Sequence, residues 1–164
     1  MDITFERLAQ MGSELMAANL ANLKNPALTG PGLDDVAFDR MYGFGFRLLA
    51  SDQYEQALSV FSFLFAQRPT EPRVLSGFGH SLCGLGDVGQ AAMMHSLAYS
   101  AEPDNPGHIL AMAEDLIAME APMVTDLLRA AEYLADQSPQ HAATAERARA
   151  LLALMKRDAS GATG

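Results

Sequence analysis

Residues 77–91 read GFGHSLCGLGDVGQA. Two structures compete for this stretch. Gly84-Leu85-Gly86-Asp87-Val88-Gly89 matches G-x-G-x-x-G, the turn that opens a dinucleotide-binding unit. That turn works between a buried strand and a helix, with an acidic residue about 20 positions on. The helix is available, since QAAMMHSLAYSA at 90–101 is alanine-rich and apolar at helical spacing. The strand is not. Leu75, Phe78, Leu82 and Leu85 recur at steps of three and four, the helix period. No strand–helix–strand pattern occurs elsewhere, and the nucleotide reading is set aside.

A shift of 34 residues lays the sequence on itself. Phe44 falls on Phe78, Gly45 on Gly79, Leu48 on Leu82, Ala57 on Ala91 and Pro69 on Pro103. Thirty-four residues is the tetratricopeptide length. Counted from Phe38, Gly45 is the eighth position, Leu48 the eleventh, Ala57 the twentieth, Phe61 the twenty-fourth and Pro69 the thirty-second. Counted from Pro72, the same places hold Gly79, Leu82, Ala91, His95 and Pro103. Small eighth and twentieth residues are expected where the two helices of a repeat cross most closely. The prolines close each second helix, because proline lacks the backbone donor. Gly84, Gly86 and Gly89 then surround a turn between helices, where backbone freedom is useful. The first repeat places Ala50-Ser51-Asp52-Gln53-Tyr54 there, without glycine. The fold therefore requires a turn and no phosphate cradle.

Working outward, the pattern predicts an all-α tetratricopeptide solenoid. Repeats span about 38–71, 72–105 and 106–139, within a domain of residues 36–157. Residues 1–35 comprise an N-terminal amphipathic helix and a linker, KNPALTGPGLDD, with two prolines and two glycines. Asp34 or Asp35 is expected to cap the next helix, and Asn105-Pro106 to start the third repeat. That repeat is degraded: Ala113 and Leu116 keep their places, but Thr125 stands where alanine is expected and Pro122 sits near the second helix's start. A helix over about 140–157 caps the stack. Residues 158–164 are expected to be a disordered tail. The count is roughly eight helices and no strands.

The 164 residues suit one domain with a real core. The net charge of −9 disfavours nucleic acid and anionic membrane surfaces, which need a basic face. Cys83 is the one cysteine, so no internal disulfide is possible and a reducing compartment fits. No apolar run reaches the roughly 20 residues of a membrane span. MDITFERLAQ lacks the basic-then-apolar layout of a secretory signal. A cytosolic protein is expected.

Residues 33–139 resemble the class II chaperones of bacterial type III secretion, which hold hydrophobic translocator proteins. The likeness rests on MYGFGFRLLASDQYEQALSVF, GFGHSLCGLGDVGQAAMMHSLAYSAEPDNP, HILAMAEDLIA and LLRAAEYLADQ. The resemblance implies three repeats, a cytosolic bacterial location and an extended client segment in the concave groove. It also implies a homodimer formed through the N-terminal helix. Glu120-Ala121-Pro122 replaces the family's glycine-containing turn, and the third repeat is expected to be about two residues shorter there.

In a tetratricopeptide stack, positions two, five, nine and twelve of each first helix face the groove. They are Asp39, Tyr42, Phe46 and Leu49; Arg73, Ser76, His80 and Cys83; and Gly107, Leu110, Glu114 and Ile117. Tyr42, Phe46, Leu49, Leu110 and Ile117 offer apolar pockets. Arg73, His80 and Glu114 offer polar contacts to a peptide backbone. By resemblance, Tyr42 and Tyr54 match family groove and turn tyrosines. Phe46 and Leu49 have core packing as the rival reading, and Tyr54 reads more simply as packing. Ile3, Leu8, Met11 and Leu15 form a stripe on the first helix. It either packs on its own solenoid or forms the dimer interface, which the resemblance favours.

His80 and Cys83 share one helical face, but a catalytic pair needs an orienting third group and none is evident. His80, Cys83, His95 and His108 lack clustered ligand spacing. No catalytic activity, metal or cofactor is expected. A generic tetratricopeptide adaptor is the alternative function. An adaptor for acidic tails would want several basic groove residues, and Arg73 is the single one among the twelve.

Overall fold

The computed structural model describes residues 32–121 and 123–161. Seven α-helices follow one another, with no strand among the described residues. They are α1 (Asp35–Ala50), α2 (Tyr54–Gln67), α3 (Pro72–Gly84), α4 (Val88–Ala101), α5 (Pro106–Ala118), α6 (Val124–Ala135) and α7 (Ala142–Gly161). A short 3-10 turn, Pro139–His141, precedes α7. The expected N-terminal helix and its stripe of Ile3, Leu8, Met11 and Leu15 lie outside the described residues.

The caps explain the helix starts. The Asp34 carboxylate accepts from the Ala37 N–H at 2.7 Å, so Asp34 rather than Asp35 caps α1. Asn105 accepts from the Gly107 N–H at 3.0 Å, with Pro106 opening α5. Consecutive helices pack as hairpins. The first helices α1, α3, α5 and α7 also touch in series, whereas no comparable contact joins α2 to α4 or α4 to α6. Elements on the inside of a curve close up and those outside fan apart. The first helices are therefore the concave layer.

The three hairpin turns share one backbone. Asp52, Gly86 and Glu120 are left-handed, at φ of 55°, 85° and 53°. The next N–H in each case (Gln53, Asp87, Ala121) donates to the carbonyl of Leu48, Leu82 and Leu116 at 2.9, 2.9 and 3.0 Å. This is the helix-ending motif that glycine favours. Gly86 takes this conformation without steric cost and Asp52 is of a type that tolerates it; Glu120 adopts it at a cost of roughly 1–2 kcal/mol.

The other glycines serve close approach. A Cβ on Gly84 would overlap the Tyr54 ring, and one on Gly77 would overlap Phe61. Gly45 leaves 3.0 Å to the Phe61 ring, and Gly79 leaves 2.5 Å to Nε2 of His95. The eighth-position glycine thus makes room for the twenty-fourth side chain, Phe61 or His95. This corrects the expectation that it relieves a backbone crossing. Gly89 meets nothing and is no turn residue, since it lies inside α4.

Repeats one and two bury matching positions: Ala57, Phe61 and Leu64, then Ala91, His95 and Ala98. In α6 the buried set is Val124, Leu128 and Ala131, displaced by one residue. The turn before α6 runs over residues 119–123, two longer than the three-residue turns at 51–53 and 85–87. Helix α6 thus starts two residues later in its repeat than α4 does, and turns a different face inward.

Two apolar clusters result. One joins α1 to α4 around Phe38, Phe61, Leu64 and Leu75. The other joins α5 to α7 around Met112, Leu116, Leu128 and Ala148. On α7, Arg147 meets Glu114 at 2.7 Å, and Arg149 meets Glu132 at 2.8 Å and Asp136 at 2.5 Å. The helix continues to Gly161, past the expected end at 157, because Asp158, Ala159 and Ser160 include no helix breaker.

Candidate functional site

The concave layer carries two groups of side chains. Towards α1, Arg73 on α3 reaches Asp39 at 3.2 Å and Glu71 at 2.9 Å. Its guanidinium lies 4.9 Å from the ring centroid of Tyr42. Tyr42 is half-buried and stands edge-on to Phe61, with centroids 6.0 Å apart. Burial raises the Tyr42 hydroxyl above its ordinary pKa, against the opposing pull of Arg73. Phe46 projects outward, 58% exposed. A large apolar ring standing in water is informative when it lies on a concave wall.

Deeper along the curve is a cleft of about 310 Å³. It is lined by Leu49 and Tyr54 from the first repeat, His80, Cys83, Gly84 and His95 from the second, and Ala111, Glu114 and Asp115 from the third. Four predicted groove residues, Leu49, His80, Cys83 and Glu114, therefore meet around one concavity. Glu114 is already engaged by Arg147 of α7. Ser76 contributes its backbone, since its carbonyl lies 2.8 Å from Nδ1 of His80. Leu110 is a correction: it is buried in the second cluster. Ile117 is half-buried against the same cluster, and Gly107 belongs to the α5 cap.

The cleft floor is polar. His95 and Asp115 are 2% and 1% exposed, and His95 Nδ1 lies 2.6 Å from the Asp115 carboxylate. His95 Nε2 lies 2.8 Å from His80 Nδ1, with the rings edge to face. Every buried side-chain nitrogen and oxygen among the described residues has a partner. Burial beside the Asp115 carboxylate pushes the Cys83 thiol up to about 11. A nucleophilic cysteine requires the opposite shift, so this thiol is held protonated. Among the described residues no three His, Cys, Asp or Glu side chains converge as metal ligands, and no helix is long and apolar enough to cross a membrane.

Sequence reasoning missed His95, Asp115 and the space above Gly84. His95 stands at the twenty-fourth repeat position, where the first repeat has Phe61, and Asp115 joins it only through the packing of α4 on α5. Tyr54 lines the cleft as well as packing, its hydroxyl donating to Asp52 at 2.5 Å.

No family model and no curated protein matches the chain by sequence. Solved structures do. PcrH bound to the chaperone binding region of PopD superposes with a TM-score of 0.72 and 25% identity, over 77% of this chain and 97% of that one. PcrH from Pseudomonas aeruginosa gives 0.72 and 24%, over 76% and 96%. The Yersinia enterocolitica type III secretion chaperone SycD, in complex with a peptide of the translocator YopD, gives 0.70 and 21%, over 76% and 96%. The chain has the helical-hairpin fold of these proteins from end to end of their length.

Proposed function

We propose that the protein is a type III secretion chaperone that holds an extended segment of a hydrophobic translocator in its concave face. The carrying observation is a single concavity, assembled from three repeats, on a fold whose matched structures include PcrH with PopD and SycD with YopD segments. The apolar part of that face, Phe46, Tyr42 and Leu49, suits apolar client side chains. The polar floor suits backbone groups. No chemistry is required: occupancy keeps a membrane-active client from aggregating or inserting in the bacterial cytosol. The partners are translocators and a second copy of the chain, in line with the dimers described for SycD. Neither nucleic acid nor a membrane is a direct partner of so acidic a chain.

The test is co-expression with a hydrophobic translocator from the same secretion locus, followed by affinity purification and sizing. A soluble stoichiometric complex is expected. Phe46→Ala with Tyr42→Ala weakens it by at least about tenfold, since truncating a buried aromatic anchor commonly costs above 1 kcal/mol. Phe46→Ala alone controls for folding, because Tyr42 also packs on the core. A folded chain beside insoluble clients would move the reading to a generic adaptor.

A further inference from the structure

His80 has a task that the apolar reading of the groove does not supply. It stands where α3, α4 and α5 meet. Its Nδ1 lies 2.8 Å from the Ser76 carbonyl oxygen and 2.8 Å from Nε2 of His95. A carbonyl oxygen can only accept, so Nδ1 of His80 carries a proton and shares it between these two atoms. Nε2 of His95 then accepts. The proton of His95 sits on Nδ1 and is donated to Oδ2 of Asp115 at 2.6 Å. Asp115 and His95 are almost wholly enclosed, and only glycine at 79 leaves room for the His95 ring. Each proton along this chain has one place. What remains is Nε2 of His80, a lone pair on the wall of a cleft whose other walls include Leu49, Ala111 and the Tyr54 ring.

Resting on the chaperone reading above, we infer that Nε2 of His80 accepts a backbone N–H of the bound extended segment. His95 and Asp115 are positioning residues that hold the accepting tautomer. An extended chain presents free N–H groups toward one side at every second residue. The residue that meets His80 therefore cannot be proline, which has no N–H. This restricts the client's register along the groove, which apolar pockets alone would leave loose.

The ionisable groups facing His80 are His95 from α4, Asp115 and Glu114 from α5, Cys83 on its own helix and Tyr54 from α2. Partial desolvation on the cleft wall and the neighbouring His95 push the His80 pKa below the ordinary 6.5, outweighing the Ser76 carbonyl and the carboxylates. The accepting form thus prevails at neutral pH. Protonation converts Nε2 to a donor that faces the client N–H. Affinity stays level above about pH 6.5 and falls as pH drops through the lowered pKa. The Cys83 thiol keeps its proton throughout.

The experiment uses a synthetic peptide of the translocator segment that the full chain protects from protease, titrated between roughly pH 5 and 8. At neutral pH His80→Leu weakens binding about five- to tenfold, the scale of one hydrogen bond. His80→Gln, which keeps an acceptor that does not titrate, binds within about threefold of wild type and loses the acid-side decline. A proline scan of the peptide finds one position whose substitution weakens wild type but not His80→Leu. If His80→Leu binds like wild type, or the acid decline persists in His80→Gln, the acceptor assignment is overturned while the chaperone reading stands. If no translocator segment is protected by folded wild type, the chaperone reading fails first. Should His80→Leu lose helicity, His80→Gln and the scan on wild type decide.

Discussion

The second repeat copies the first, whereas the third copies only half of it. Helix α5 starts 34 residues after α3, and its inner residues Ala113 and Leu116 stay buried as Gly79 and Leu82 do. Helix α6 keeps its end in register, at Ala135 against Ala101, but starts two residues late and turns a different face inward. The first two repeats seat a ring over a glycine, Phe61 on Gly45 and His95 on Gly79. The third has Ala113 instead, and Arg129, at the ring's position, points to solvent. A repeat can thus keep its inner helix while the outer one is re-registered, provided the ring-and-glycine pair is given up together.

The largest effect that would break this comparison lies at the twenty-fourth position. Phe61→Ala should cost about 3–5 kcal/mol in denaturant unfolding, because a fully buried ring leaves a cavity. Arg129→Ala, at the same repeat position, should change stability by less than about 0.5 kcal/mol. Equal costs would mean that α6 is not rotated. Next comes the eighth position. Gly79→Ala should lower stability by about 1–3 kcal/mol through overpacking against His95, despite alanine's better helix propensity. The third repeat carries alanine at this place without penalty, so a stabilising Gly79→Ala would remove the reason offered for the glycine. The smallest effect is at the twentieth. Ala57 is fully buried but Thr125 is partly exposed. Thr125→Ala should gain at most about 0.5 kcal/mol from helix propensity, read as a small rise in Tm. A clear loss would restore Thr125 to the hairpin interior.

The repeat frame was legible because it rests on residues that recur at a fixed distance: Gly45 and Gly79, Ala57 and Ala91, Pro69 and Pro103. The first-helix residues Leu49, His80, Cys83 and Glu114 followed from that frame and do share a cleft. The turn backbone was only partly legible, since Glu120 holds a conformation that its residue type does not announce. The rotation of α6 was hidden for a related reason. Pro122 marks a disturbance without giving its direction. Leu110 was misplaced because an apolar residue at a groove position serves a core equally well. Asp115 was beyond reach, since its partner His95 lies on another helix and the two meet only through tertiary packing.

The three hairpin turns carry a consequence for how this chain tolerates change. Each is completed by main-chain bonds ending at Gln53, Asp87 or Ala121, so the inner helix is closed off before the outer one begins. The longer joint before α6 opens just after that seal. The late start falls on the outer helix, which still ends at Ala135 in register with Ala101, while α5 keeps its place. The point at which the outer helix starts, and not the layout of the inner helices, is what a lineage could vary while its recognition surface stays the same.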